Sequence, residues 1–337
     1  MDLDAGEEGP TRRTASQSCK PRHPKFYFGS GDVVFICEEL SFRIHSELLS
    51  NNSSVFLETL KQARSNGEHL SDGCPCVHLS DAAEDFATLL KVFYTPGCVC
   101  RTMRLFLRHS NRSVSHCRFL HRHKTPDFTT FSSLLRLTTK YKFQEIRTQI
   151  LLDLLPAYPT QLSEYKASPS LGEAVFGSPL PHPNTVLNLF VTCEVPFTLP
   201  FAYYRASIAG DPASLNTSAG GFVLPPNTLK VALRGQAQLK TEQVQLAKKL
   251  ALQDCPGWLG CSGKIPSNRV EVFDWIHPKV ATKKGILERG DFVGPKYCSQ
   301  CLQTFAKELS KAQADTWEKL PSYFSLPPWE KTTGQPF

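Results

Sequence analysis

The chain has 337 residues, 41% hydrophobic and 20% charged, with 38 Lys and Arg against 31 Asp and Glu for a net charge of +7. That length and apolar content suit about two globular domains with buried cores and exclude a wholly disordered chain. The basic excess is local: seven Lys or Arg, four His and no acid lie between Val99 and Thr125, and the rest of the chain sets 31 basic residues against 31 acidic ones, so net charge alone does not argue for a nucleic-acid partner.

No apolar leader opens the sequence, and the apolar stretch Leu187 to Ile208 is interrupted by Glu194, Pro196, Pro200 and Arg205. Secretion and membrane spanning are therefore not expected, and the stretch reads as a buried helical hairpin. Twelve cysteines without an export signal are expected to be reduced thiols or metal ligands, which places the protein in the cytoplasm or nucleus.

Met1 to Lys25 mixes Gly, Pro, Ser and charges without apolar periodicity, so residues 1–25 are expected to be a disordered tail, with Lys20 to Lys25 (KPRHPK) a solvated leader. Gly31 to Leu60 is more structured. Val33 to Cys37 is a continuous apolar run, suited to a strand covered on both faces, while Leu40, Phe42 and Ile44 alternate with Ser41 and Arg43 as in a half-buried strand. Glu38-Glu39 is the expected turn. From His45 the period lengthens to about four, and Asn51-Asn52 divides two short helices.

On these residues the chain resembles a BTB/POZ domain. Asp32-Val33 opens the strand, and the spacing H-x3-L-x3-S-x2-F is met by His45, Leu49, Ser53 and Phe56. Val77-His78-Leu79 resembles the third strand of that family, Asp85 to Tyr94 the following helix, and Leu134 to Leu155 its closing helix pair; the wording, including LPSYFSLPPWE near the end, is most like the BTB proteins of basidiomycete fungi. The resemblance implies an α+β fold with a BTB/POZ-like domain over 26–160, a short sheet with a helical cluster; Ser, Pro and Gly mark a linker at 161–183, and helical patterns make 184–337 a mostly α-helical C-terminal domain. It also makes His45 a packing and hydrogen-bonding residue and Asp32 one that helps order the domain.

Cys98 to Thr125 interrupts the pattern with about 27 basic, His-rich residues. Three readings stand: an insertion that attracts anions, a metal site through Cys98, Cys100, His121 and His123, or a retained intron. Val99-Cys100 can be encoded by a GTATGT donor and Cys117-Arg118 by a sequence containing a CAG acceptor.

Within the domain, Ser65 to Pro75 reads as a polar loop, Cys74 and Cys76 as loop and strand-edge thiols, and Ser80 with Glu84 as the start of the next helix. Further on, Asn184 to Ile208, Pro226 to Leu252 and Tyr297 to Trp317 read as helices, and PSYFSLPPWE as a tail docked through aromatic and Pro residues. Cys255-x5-Cys261 with Cys298-x2-Cys301 gives four thiols in two close pairs, the donor set of a structural zinc site; ordinary thiols are the competing reading. No P-loop, dinucleotide fingerprint, H-E-x2-H or G-x-S-x-G is present. Asp274 and His277 read as surface or packing residues.

The functional expectation is a non-enzymatic interaction protein that pairs through its BTB-like domain with itself or another BTB protein, using Val33, Phe35, Leu48 and Leu49 at the interface. Two alternatives remain: a substrate adaptor of a cullin-type ubiquitin ligase, implied by the resemblance, and a nucleic-acid-binding regulator using Arg101 to Lys124, against which stands the lack of a zinc-finger or homeodomain pattern. No membrane partner is expected.

Overall fold

Five consecutive apolar residues make Val33–Cys37 the middle of a sheet. In the computed structural model, which describes residues 20–66, 70–94, 127–167, 176, 180–209, 224–255, 269–280, 285–287 and 297–333, this segment is β2. It lies in the strand order β1-β3-β2-β5-β4, formed by Arg22–Tyr27 (β1), Leu40–Ile44 (β3), Leu70–Ser71 (β4) and Cys74–Leu79 (β5). β2 and β3 are antiparallel, with Val33 opposite Ile44 and Cys37 opposite Leu40. Glu38, at φ 51°, makes the turn between them. β2 and β5 are parallel. A parallel neighbour needs a long crossover, here supplied by helices α1 (Ser46–Ser50) and α2 (Ser54–Asn66).

Helix α3 (Ala83–Tyr94) follows β5 and buries Phe86, Leu89, Leu90 and Phe93. The core is aromatic. Phe35 meets Phe56 edge-on at 5.6 Å and Phe86 at 5.4 Å, and Phe42 meets Phe86 edge-on at 5.2 Å; such ring pairs add about 0.5–1.5 kcal/mol beyond the area they bury.

Contacts divide the chain into two units, Met1–Tyr94 and Thr95–Phe337. The second is helical: α4 (Phe128–Lys140), α5 (Gln144–Leu154), α6 (Leu162–Ala167), α7 (Pro183–Thr192), α8 (Leu199–Ile208), α9 (Pro226–Leu252), α10 (Arg269–Val280), α11 (Ser299–Tyr323) and α12 (Trp329–Thr333). The 27-residue α9 packs on α8, α10 and α11, and α7 packs on α8. Arg147 on α5 donates to the carbonyls of Cys193 (3.0 Å) and Glu194 (2.9 Å), fixing the bend after α7. The terminal aromatics dock as expected: Trp329 stacks on Trp317 at 5.5 Å and donates to its carbonyl, while Trp317 donates to that of Thr160. The chain is thus mixed α+β, and among the described residues no helix is long and apolar enough to cross a membrane.

The structure departs from the expectations at several places. Residues 20–25 do not belong to a tail: β1 pairs in parallel with β3, Arg22 and Tyr27 both donate to the Asp72 carboxylate, and Ser41 N–H donates to the Pro21 carbonyl. The loop read over Ser65 to Pro75 contains the end of α2 and the β4–β5 hairpin, turning at Asp72 and Gly73, both at positive φ. α3 starts at Ala83, whose N–H donates to the Glu38 carboxylate at 3.0 Å, a contact from a distant turn that the sequence reading of this helix start did not include. The helices α4 and α5 fall in the second unit, so the domain read over 26–160 is divided at Tyr94. The linker read over 161–183 holds α6 and a buried Phe176, whose ring packs edge-on against Phe128 and Phe131. The basic segment from Cys98 to Thr125 and residues 1–19 lie outside the described residues.

Candidate functional site

Among the described residues two polar clusters stand out, one in each unit. In the first, Asp32 immediately precedes β2, and its carboxylate accepts from Ser46 N–H at 2.6 Å and from the Ser46 hydroxyl at 2.5 Å. It thereby caps α1 from outside the helix. Arg64 on α2 donates both to Asp32 (3.1 Å) and to Ser46 Oγ (2.9 Å). Burial alone would raise the Asp32 carboxyl, but the Ser46 donors and the Arg64 guanidinium outweigh it and hold the group below the usual carboxylate range.

That depression has a sign. The stabilisation is complete above the unfolded carboxylate value of about 3.9 and is lost as pH falls through the lower folded value. An Asp32→Asn variant should therefore be less stable than wild type at neutral pH, and the difference should shrink below about pH 4. Urea titrations between neutral and acidic pH measure this; a gap that widens on acidification contradicts the assignment.

His45 stands beside this cap. Its backbone N–H donates to the Tyr94 hydroxyl at 3.1 Å, Nδ1 lies 3.0 Å from the same hydroxyl, and Nε2 lies 3.0 Å from Ser30 Oγ. A Ser–His contact invites comparison with a nucleophile and its base. The His45 ring is held between the Tyr94 and Ser30 hydroxyls, and which nitrogen donates depends on the ring tautomer. Phe28 stacks on Tyr94 at 4.6 Å, so this network ties the last residue of α3 to the start of α1.

The remaining motif positions belong to the same frame. Ser53 Oγ accepts Phe56 N–H at 3.0 Å, capping α2, and Phe56 is fully buried against Phe35. The expected interface is corrected: Val33, Phe35 and Leu49 are 1%, 0% and 0% exposed and form the core. They are apolar because they fill the space between sheet and helices. Leu48, half-exposed on α1, stays available, joined on α2 by Leu57 at 42% exposure.

In the second unit, Cys255 follows the end of α9, Cys298 is the N-cap of α11 and Cys301 lies in its first turn. Their sulfurs all lie within 4.8 Å of one another, Cys255 and Cys298 at 3.6 Å, and Cys298 Sγ accepts the Cys301 N–H at 3.5 Å. Cys261, the expected fourth thiol, lies outside the described residues, as do Cys98, Cys100, His121 and His123. Of the other thiols, Cys193 is buried, which pushes it up to about 11, and partial burial raises the half-buried Cys76. Asp274 and His277 lie on α10, where His277 stacks on Phe273 at 5.1 Å.

Comparison of the chain with protein-family models, curated proteins and solved structures finds no match. The sites therefore stand on their own geometry. Sequence reasoning missed Ser46, Arg64 and Tyr94 as partners of Asp32 and His45. Ser46 had a local signal, a small hydroxyl residue at a helix start. Arg64 and Tyr94 had none, being 32 and 49 residues from the groups they meet.

Proposed function

We propose that the first unit is a BTB/POZ-type association module, without catalytic activity, which pairs with a second copy of this chain or with a related BTB domain. The observation that carries this reading is the interlocking of the four family positions: Asp32 caps α1, His45 joins α1 to α3, Ser53 caps α2, and Phe56 fills the core beneath β2. One residue pattern, carried over from the resemblance, accounts for how each of those helices begins or is anchored. The family's shared property is association, and the surface here has the means for it. β1 is an edge strand, and edges accept a partner's strand. Leu48 and Leu57 add exposed apolar contact on the neighbouring helices.

Light scattering of the full chain during size-exclusion chromatography tests the proposal. Wild type should elute with the mass of a dimer, and a Leu48→Asp, Leu57→Asp variant should elute as a monomer with an unchanged circular-dichroism spectrum. A wild-type chain that stays monomeric alone and when mixed with other BTB domains overturns it.

A further inference from the structure

We propose that Cys255, Cys298 and Cys301 hold a structural zinc ion that ties the end of α9 to the start of α11. Separation is the first argument. Zinc–sulfur bonds of about 2.3 Å in tetrahedral geometry set neighbouring sulfurs roughly 3.8 Å apart, whereas a disulfide requires about 2.05 Å. The Cys255–Cys298 distance of 3.6 Å agrees with the first and not the second, and Cys301 completes the group within 4.8 Å.

The second argument is that the sulfurs are presented for a cation. Cys298 and Cys301, three apart, share the first turn of α11, where the N-terminal end of the helix dipole favours negative charge. The Cys301 N–H points at Cys298 Sγ, a donor that stabilises a thiolate more than a thiol. Cys301 is 3% exposed, while Cys255 and Cys298 are half-buried, so the group is sheltered yet reachable.

Third, both chain segments reach the cluster held by contacts that involve no sulfur. Arg269 donates to the carbonyls of Ala251 and Gln253, each at 3.3 Å, and pairs with Asp254 at 2.7 Å, which fixes the residues leading to Cys255. Tyr297, next to Cys298, packs on Trp275 at 4.4 Å and edge-on against Phe305 at 5.4 Å. A donor set placed in advance loses little freedom on binding. Its composition selects the ion: among the described residues the group consists of three sulfurs, which suit zinc and disfavour magnesium or calcium. Thiolate ligation makes binding dependent on deprotonation and couples the metal to folding.

The inference concerns the second unit and does not depend on association by the first. Native mass spectrometry and elemental analysis of the reduced full-length chain, prepared with zinc, test it. One zinc per wild-type chain is expected, retained in Cys76→Ser and lost in Cys298→Ser and Cys301→Ser. Should those two variants fail to fold, cobalt titration of the metal-stripped wild type decides, a sulfur-to-cobalt charge-transfer band being the expected result. Wild type without zinc or that band, or zinc retained by either variant, would overturn it.

Discussion

Leu49→Asp should unfold the first unit, while the adjacent Leu48→Asp leaves it folded. Leu49 is fully buried, and Leu48 is half-exposed on the same short helix. The substitution at 49 removes a packed side chain, a loss of about 2–5 kcal/mol, and leaves a carboxylate without a partner, which costs several kcal/mol more unless it takes up a proton. A unit of this size has total stability of about 5–10 kcal/mol, so the sum exceeds or exhausts it. Hydrogen exchange followed by mass spectrometry reads the outcome by segment. In Leu49→Asp, amides of β2, β3, α1 and α2 should exchange as in an unfolded chain, and in Leu48→Asp they should keep wild-type protection. Native protection in both variants would mean that Leu49 is not in the core.

The same pair of residues shows what the sequence could convey. The H-x3-L spacing marks Leu49 as a patterned position but does not say which surface it covers; a core leucine and an interface leucine leave one signature. Where the cause of an element is local, the sequence suffices. β2, β3, the Glu38-Glu39 turn and the Asn51-Asn52 break were legible because five apolar residues, an alternation and a change of period lie within 24 residues. α9 begins at Pro226 and ends at Leu252, the bounds read from its pattern. A proline at the first helical position and a long apolar stripe set them.

Elements held by distant partners were not legible. β1 has the sequence RHPKFY, with Phe26 its one buried side chain. Its conformation depends on β3 and on Asp72, 45 residues beyond Tyr27. α10 did leave a trace: Val272, Ile276 and Val280 are spaced by four and all buried, although Pro278 lies within the segment, where proline disfavours a helix. Packing on α9 overrides that preference, and a proline near a helix end removes few hydrogen bonds. In the cysteine cluster, the C-x2-C pair was legible as a local unit. The arrival of Cys255 beside it depends on Arg269 and Tyr297, which no spacing rule marks.

Gly235→Ala should destabilise the second unit although the substitution improves a helix. Gly235 lies in the middle of α9, where alanine is ordinarily favoured by about 1 kcal/mol. A Cβ at this position would fall 2.0 Å from Cε1 and 2.3 Å from Cδ1 of Phe324. That ring is 1% exposed and stacks on Tyr203 at 5.1 Å and 17°, and the N–H groups of Phe324 and Leu326 both donate to the Pro321 carbonyl. Neither the ring nor its backbone can withdraw without breaking these contacts. Overpacking of this kind costs about 1–3 kcal/mol, and partial release of the ring forfeits up to about 2 kcal/mol of burial, so the net effect should be a loss of about 2 kcal/mol. Phe324→Ala alone should cost about 3 kcal/mol through the cavity it leaves. In that background the obstacle is gone, and adding Gly235→Ala should be neutral or stabilising by up to about 1 kcal/mol. Denaturant titration of the four proteins in a double-mutant cycle measures the coupling directly. The sign of the alanine effect should reverse with Phe324 removed; an alanine that stabilises the wild-type chain would show that the ring does not lie against this turn of α9.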